Sequence, residues 1–161
     1  MAEYGRGAKA GVFAGIIYAI ISAILGAIVI YAFKDTIMEY TEQALIDAGL
    51  TGTDVGSLLV FMIPAMIVGI IIGGIIFGLI FGLIYAAVYN SLPGSTSVMR
   101  AIVLSLIAWL IFSVGLGYFN IASFGITYYV INSIVIGIIT WVIWGYLMGR
   151  FWDRFGKPVK T

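Results

Sequence analysis

The sequence predicts an all-α integral membrane protein with four transmembrane helices in a compact bundle, and three observations lead to this prediction. Of the 161 residues, 63% are hydrophobic and only 9% are charged, a composition far from that of soluble domains. The chain contains long apolar stretches, each close to or above the roughly 20 residues that a helix needs to cross a bilayer. The charged residues lie at the ends of these stretches or between them, as expected where charge in hydrocarbon is costly.

The spans follow from the apolar stretches in chain order. The first stretch is too long for the apolar core of a signal peptide, so we expect it to be retained. The second, 55–89, is too long for one perpendicular crossing. Pro64 divides it, because proline suits a first helical turn and kinks a helix interior, which leaves 55–63 as a kinked extension or interfacial lead-in. Within a single domain, 1–161, the spans are placed at about 11–33, 64–89, 98–117 and 127–148.

The basic residues predict the orientation of the chain. Seven of the eight lie before the first span, at the second connection or after the fourth span. The segment 34–63 instead carries Lys34 with five acidic residues. Because positive charge is enriched on the cytoplasmic side, we expect a multi-pass protein of the cell membrane with both termini cytoplasmic. The segment 34–63 is then extracytoplasmic, and 149–161 is a basic cytoplasmic tail.

The acidic segment contains a second kind of helix. From Asp35 to Ala48 the acidic residues fall on one face and apolar residues on the opposite face, which predicts a short amphipathic helix. Gly49 is placed to cap its C-terminus. A solvated face is the favoured interpretation of the acids, and a weak divalent-cation site is the alternative.

Small residues recur every four positions in the first two spans. In lipid, close packing depends on small residues that let helix backbones approach. We therefore expect spans one and two to pack along these seams, although the same seams could face a second copy of the chain. The predicted packing residues are Gly7, Gly11, Gly15, Ala19, Gly74, Gly78, Gly82 and Ala86.

The two halves of the chain also resemble each other as tandem helical hairpins. Span three matches span one at a constant offset of 91, which pairs Ser22 with Ser113. Span four matches span two at an offset of 63, which pairs Gly82 with Gly145. Two crossings per half would make the repeat parallel. Chance matching between two strings rich in isoleucine and glycine is the alternative.

The residue types exclude most membrane redox chemistry unless a partner supplies it. The chain has no cysteine and no histidine, so thiol nucleophiles and metal or haem ligation by thiolate or imidazole are absent. No phosphate-binding or nucleophile motif occurs. A net charge of +1 offers no electrostatic basis for binding nucleic acid. We therefore predict no enzymatic activity and no catalytic, cofactor-binding or metal-binding residues.

What remains inside the spans is uncharged and polar. The candidate lining residues are Ser105, Asn132, Ser133 and Thr140, whose usual role is hydrogen bonding between helices. The leading hypothesis is a non-catalytic membrane protein, either an accessory subunit of a larger complex or a self-associating scaffold. Its partners would be the lipid bilayer with other membrane subunits or further copies of the chain. The alternative is an oligomeric channel or facilitator for a small solute.

Overall fold

A computed structural model describes residues 3–50, 52 and 54–156, and the end of the predicted basic tail, 157–161, lies outside the described residues. The all-helical prediction is confirmed for the described residues, which contain no strand. The α-helices are α1 (Tyr4–Ala32), α2 (Lys34–Asp47), α3 (Val55–Val88), α4 (Ser97–Trp109), α5 (Asn120–Tyr129) and α6 (Gly137–Phe155). Two π-helical segments, Leu110–Gly115 and Val130–Ile136, and a 3₁₀ turn, Leu116–Phe119, connect α4 to α6 through α5.

Three helical stretches are long and apolar enough to cross a membrane: Tyr4–Ala32, Val55–Val88 and Ser97–Phe155. The third has 59 residues and folds back on itself, so that α4 and α6 pack antiparallel. The backbone leaves the helical conformation at Gly125, with φ +82° and ψ 166°, a region open to glycine because it has no Cβ. The predicted third and fourth spans are thus two legs of one nearly continuous helical stretch.

Pro64 does not begin the second long helix. The helix α3 starts nine residues earlier, at Val55, and passes through Pro64 without ending. Its start is set by Asp54, whose carboxylate accepts hydrogen bonds from Gly56 N–H at 3.0 Å and from the Ser57 hydroxyl at 2.5 Å. A side chain that satisfies the free N–H groups of a first turn is a strong helix start, and this outweighs the preference of proline for that position.

These hydrogen bonds hold the pKa of Asp54 below its usual value, the Ser57 hydroxyl contributing most. The cap therefore stabilises the helix start at pH values above the ordinary aspartate pKa of about 3.9. This stabilisation is lost as the pH falls through the lower pKa of Asp54 in the folded chain. We expect the NMR shift of the Gly56 amide to titrate with a midpoint below that of an unstructured aspartate. Asp54→Asn should abolish the titration, and a midpoint at or above the ordinary value would contradict the prediction.

The short helix α2 follows α1 after a single break at Phe33. Its C-terminus is closed at Gly49, which has φ +79°. Gly49 N–H donates to Ile46 O and Leu50 N–H donates to Leu45 O, both at 2.9 Å. This pair of bonds is the Schellman arrangement that glycine favours at a helix end, so the amphipathic helix and its glycine cap lie where the sequence places them.

The helices α1 and α3 pack antiparallel through glycine. A Cβ added at Gly15 would lie 3.0 Å from Gly78 Cα, and one added at Gly82 would lie 3.0 Å from Gly11 Cα. At the two ends of the seam, Ala19 lies against Gly74 and Ala86 lies against Gly7. All eight predicted packing residues therefore lie at one interface within the chain, where they are not available to a second copy.

Both described ends of the chain lie at the same end of the bundle, where Arg6 Nε donates to Trp152 O at 2.6 Å. We call this the basic end, because Arg6, Arg100 and Arg154 lie there. The opposite, acidic end carries α2, which meets α5 through the rings of Tyr40 and Phe124, 4.8 Å apart. The charge asymmetry of the sequence is thus an asymmetry between the two ends of the folded bundle.

Aromatic side chains fill the space between α3 and α6. The ring of Phe81 meets Trp144 edge-on at 5.5 Å, and Phe77 meets Trp141 at the same distance. Toward the basic end, Met148 and Tyr85 are completely buried. This aromatic core lies between the basic end and the polar pocket described next.

Candidate functional site

A polar pocket of about 180 Å³ lies between α1, the two π segments and α6. Tyr18, at the midpoint of α1, places the pocket at mid-depth in the bundle. None of the side chains that line it carries a charge. The lining residues are Tyr18, Ser22, Gly26, Ser113, Asn132, Ile136, Gly137, Thr140 and Trp141.

Three of the polar side chains in this pocket are committed to partners. Trp141 Nε1 donates to Ser113 Oγ at 2.8 Å. The Thr140 hydroxyl donates back to its own helix, at 2.9 Å from Gly137 O and 3.0 Å from Ile136 O. Such back-bonding is common for threonine in apolar surroundings, and it leaves the Thr140 oxygen free to accept but not to donate.

Other polar groups in the pocket lack such partners. Ser22 Oγ is buried and has no hydrogen-bond partner among the described residues. The Tyr18 hydroxyl faces those of Ser22 and Thr140, but without the geometry of a hydrogen bond to Ser22. The Asn132 amide, partly exposed to the pocket, makes no side-chain hydrogen bond within the described part of the chain. Buried polar groups are nearly always satisfied by protein or by an ordered molecule, so this arrangement leaves room for a hydrogen-bonding occupant.

The π segments bring Ser113 and Asn132 to the pocket. A π turn displaces the helical hydrogen bonds and recurs at functional sites. Here, aromatic donors of the opposite leg satisfy two of the carbonyls: Trp109 Nε1 donates to Ser133 O and the Tyr129 hydroxyl donates to Val114 O, each at 3.0 Å. These cross-links hold the two π segments against each other and fix the wall of the pocket.

The structure divides the four lining residues predicted from sequence. Asn132 and Thr140 line the pocket, whereas Ser105 and Ser133 do not. The Ser105 hydroxyl donates to Ile102 O at 2.8 Å and lies beside Gly145 in the contact between α4 and α6. Ser133 is buried against Gly117 and faces away from the pocket.

Three hydroxyl-bearing residues of the pocket were not among the predicted lining: Tyr18, Ser22 and Ser113. A signal for two of them exists in the sequence, because the offset of 91 between the halves pairs Ser22 with Ser113. Tyr18 lies one helical turn before Ser22 and therefore on the same face. No sequence pattern indicates the π turns that aim Ser113 and Asn132 at these residues.

The matched serines of the pocket should respond differently to substitution. Ser113→Ala removes the acceptor of the Trp141 N–H and should lower the free energy of unfolding by about 1–2 kcal/mol, the cost of a buried unpaired donor. Ser22→Ala breaks no hydrogen bond within the described chain, so we expect a change below about 0.5 kcal/mol. Unfolding by SDS, followed by circular dichroism, measures both. Equal losses would contradict the assigned hydrogen bonds.

The acidic end carries a wider and more open groove of about 440 Å³ between α2 and α5, lined by Thr36, Glu39, Tyr40, Gln43, Ser123, Phe124 and Gly125. Within the described residues, no group of three or more acidic side chains is arranged to hold a metal ion. The space beneath α2 forms two clefts of about 290 Å³ each, with largely apolar linings that share Ile30, Ile37 and Ile63. The polar pocket differs from these in lying at mid-depth in the bundle and in holding the buried, unpaired hydroxyl of Ser22.

A comparison with protein families gives a match that covers the whole chain. The model of a protein family described as a family of unknown function, DUF6789, matches residues 1–161. No curated protein matches the chain, and no solved structure does.

Proposed function

We propose that this chain, which belongs to the family of unknown function DUF6789, is a non-catalytic membrane protein that admits a small uncharged solute to its polar pocket and facilitates the passage of that solute. The observation that carries the proposal is the convergence of hydroxyl and amide groups at mid-depth in a bundle that is otherwise apolar.

The cost of polar groups in hydrocarbon supports this proposal. A polar group without a partner costs several kcal/mol in the bilayer interior, yet Ser22 Oγ and the Asn132 amide have no protein partner in the described structure. An occupant that forms hydrogen bonds removes this cost. Because the lining is uncharged, an uncharged occupant suits it better than an ion, whose desolvation nothing in the pocket would offset.

The proposal places the protein in the cell membrane with both termini cytoplasmic. Support comes from the arginines at the basic end and the acids of α2 at the other end, following the positive-inside tendency. The absence of native cysteine makes labelling unambiguous. In intact cells, we expect Glu42→Cys to react with a membrane-impermeant maleimide and Gly5→Cys to react only after lysis. The reverse pattern would overturn the proposed orientation.

We also propose that the bundle consists of two tandem hairpin repeats. The offsets of 91 and 63 map the contact of Gly11 with Gly82 onto that of Ile102 with Gly145. A Cβ added at Gly82 would lie 3.0 Å from Gly11 Cα, and one added at Gly145 would lie 2.9 Å from Ile102 Cα. They also map the contact of Gly7 with Ala86 onto that of Val98 with Gly149. An equal antiparallel register in both hairpins is what a duplication would leave behind.

Transport by the purified chain tests the proposed function. Stopped-flow light scattering of proteoliposomes would report the entry of glycerol and urea. We expect uptake faster than in empty liposomes, and Asn132→Leu should return it to the empty-liposome rate by removing the amide and filling the pocket. Ser105→Ala is the matched control, because Ser105 lies in a helix contact outside the pocket. Rates equal to those of empty liposomes for both solutes would overturn the proposal.

A role as an accessory subunit or self-associating scaffold is the second candidate, and one observation favours it. Gly69 and Gly73 of α3 form a further pair at four-residue spacing, and a Cβ added at either would meet no described atom within 4 Å. Such a pair suits contact with another helix in lipid. Native mass spectrometry of the protein extracted gently from its own membrane would show other polypeptides in fixed ratio. Gly69→Leu should then release them.

A further inference from the structure

We infer that the polar pocket selects a neutral molecule about the size of a six-membered ring that presents a hydrogen-bond acceptor, such as a carbonyl oxygen. This inference rests on the proposed use of the pocket as a solute site and specifies the class of solute. Three properties of the pocket support the inference: the hydrogen bonds that its side chains already form, its volume and its lack of charged side chains.

The pocket contains donor hydrogens without a partner, which favours a ligand that carries a hydrogen-bond acceptor. Ser113 Oγ already accepts the Trp141 N–H, so its own hydrogen is directed elsewhere. The hydroxyl hydrogen of the buried Ser22 reaches no acceptor with hydrogen-bond geometry, and the amide of the partly exposed Asn132 makes no side-chain hydrogen bond in the described chain. Unpaired buried donors are rarer in proteins than acceptors that are incompletely used. A ligand carbonyl, with two lone pairs, can accept two of these hydrogens.

The acceptor oxygens of the pocket include the amide oxygen of Asn132, and they cost less to leave incompletely paired than the donors do. The Thr140 oxygen belongs to a hydroxyl that already donates to its own helix, and the Tyr18 oxygen lies near the Thr140 and Ser22 hydroxyls. A ligand that only donates would leave the hydrogens of Ser22, Ser113 and Asn132 unpaired. Its binding would therefore retain the cost that an acceptor removes.

The volume and the walls define the size of the ligand. A cavity of 150 Å³ engineered into another protein holds one benzene molecule, and this pocket, at about 180 Å³, is slightly larger. The rings of Tyr18 and Trp141 form two of its walls, with centroids 6.1 Å apart and planes inclined by 50°. A flat or chair-shaped ring can pack against these faces while its polar group reaches the hydroxyls.

The absence of charge excludes an ionised ligand. No acidic or basic side chain lines the pocket, and Tyr18 lies at the centre of a 29-residue helix. A cation or anion would lose its hydration without gaining an opposite charge, which costs several kcal/mol even after relaxation. An ammonium analogue of the ring should therefore be excluded.

Equilibrium dialysis of the intact chain in detergent tests the inference with three ligands of one shape. Cyclohexanone carries an acceptor, methylenecyclohexane does not, and cyclohexylamine is a cation at pH 7. Binding would be counted as the excess over Ser22→Leu, which fills the pocket, in the same detergent. We expect about one cyclohexanone per chain, bound about tenfold more tightly than methylenecyclohexane, a factor equivalent to about 1.4 kcal/mol. Cyclohexylamine should show no excess.

Ser22→Ala provides a second variant that does not depend on filling the pocket and breaks no hydrogen bond within the described chain. It removes one donor and should weaken the binding of cyclohexanone several-fold without weakening that of methylenecyclohexane, whereas Ser105→Ala should change neither. Equal affinity for the two neutral rings would overturn the inference, and so would no binding above the Ser22→Leu level, as for a pocket that holds only water. Selective binding without flux would contradict the proposed transport alone, and flux without acceptor preference would contradict the inference alone.

Discussion

Gly78→Ala should lower the free energy of unfolding by about 3 kcal/mol, at the upper end of the usual cost of overpacking. The added methyl group would overlap Gly11 O and lie 2.8 Å from Gly15 Cα. Both are backbone atoms, which cannot move aside by changing a rotamer, so α1 and α3 must separate along the whole seam. Dispersion contacts then weaken over several turns, and these contacts hold helices together in lipid. SDS titration followed by circular dichroism measures the loss.

The matched control lies on the same helix. Gly73→Ala adds the same methyl group where no described atom lies within 4 Å. Because alanine is about 1 kcal/mol better than glycine in a helix, this variant should be unchanged or slightly more stable. Equal destabilisation at Gly73 and Gly78 would show that the close contact between α1 and α3 is not what stabilises the bundle.

Trp152→Ala should cost about 4 kcal/mol, within the usual range for truncating a buried tryptophan. Trp152 is 3% exposed and lies at the junction of three helices at the basic end. Its ring stacks on Tyr89 at 4.8 Å and meets Tyr85 edge-on at 5.1 Å. The guanidinium of Arg6 lies 4.3 Å above the same ring. Truncation removes all of these contacts and leaves a cavity.

The stack continues beyond Trp152, which is why we expect its loss to affect the whole basic end. The Arg100 guanidinium lies 4.6 Å above the Tyr89 ring and donates to Gly94 O at 3.1 Å. The order Arg6, Trp152, Tyr89, Arg100 therefore links α1, α6, the residue that follows α3, and α4 in turn. Cations over aromatic faces contribute most when they are partly desolvated.

Two variants of α6 make this prediction specific. Tyr146→Ala truncates an aromatic ring that is 46% exposed and should cost less than about 1 kcal/mol. Trp152→Phe keeps an aromatic face for Arg6 and Tyr89 and should recover part of the loss. If Trp152→Ala were no more destabilising than Tyr146→Ala, the aromatic stack would not be what joins the helices at this end.

Fold class and helix packing could be predicted to a large extent from local patterns. The apolar stretches are visible as runs of residues, and the four-residue spacing of Gly74, Gly78 and Gly82 defines one helix face whatever that face contacts. Gly49 ends α2 through its own backbone conformation. Pro64 does not mark the start of α3, because the capping by Asp54, ten residues earlier, decides where the helix begins.

The candidate site depended on information that no local pattern contains. Asn132 and Ser133 are adjacent, and only the packing of α6 against its neighbours decides that the amide lines the pocket while the hydroxyl is buried against Gly117. Ser22 and Ser113 are 91 residues apart and meet because α1 and the first π segment flank the same cavity.

By itself, the sequence determined that the chain is helical, which stretches are long and apolar enough to cross a membrane, and which faces carry small residues. These properties arise from composition and from the 3.6-residue period of the helix. Only the tertiary structure decided that the seams meet within one chain, that two π segments interrupt the helical stretch from Ser97 to Phe155, and that polar groups converge beside Tyr18. The reason is physical: a helix face can be predicted from spacing, whereas its partner is selected by packing and hydrogen bonding among segments far apart in the chain.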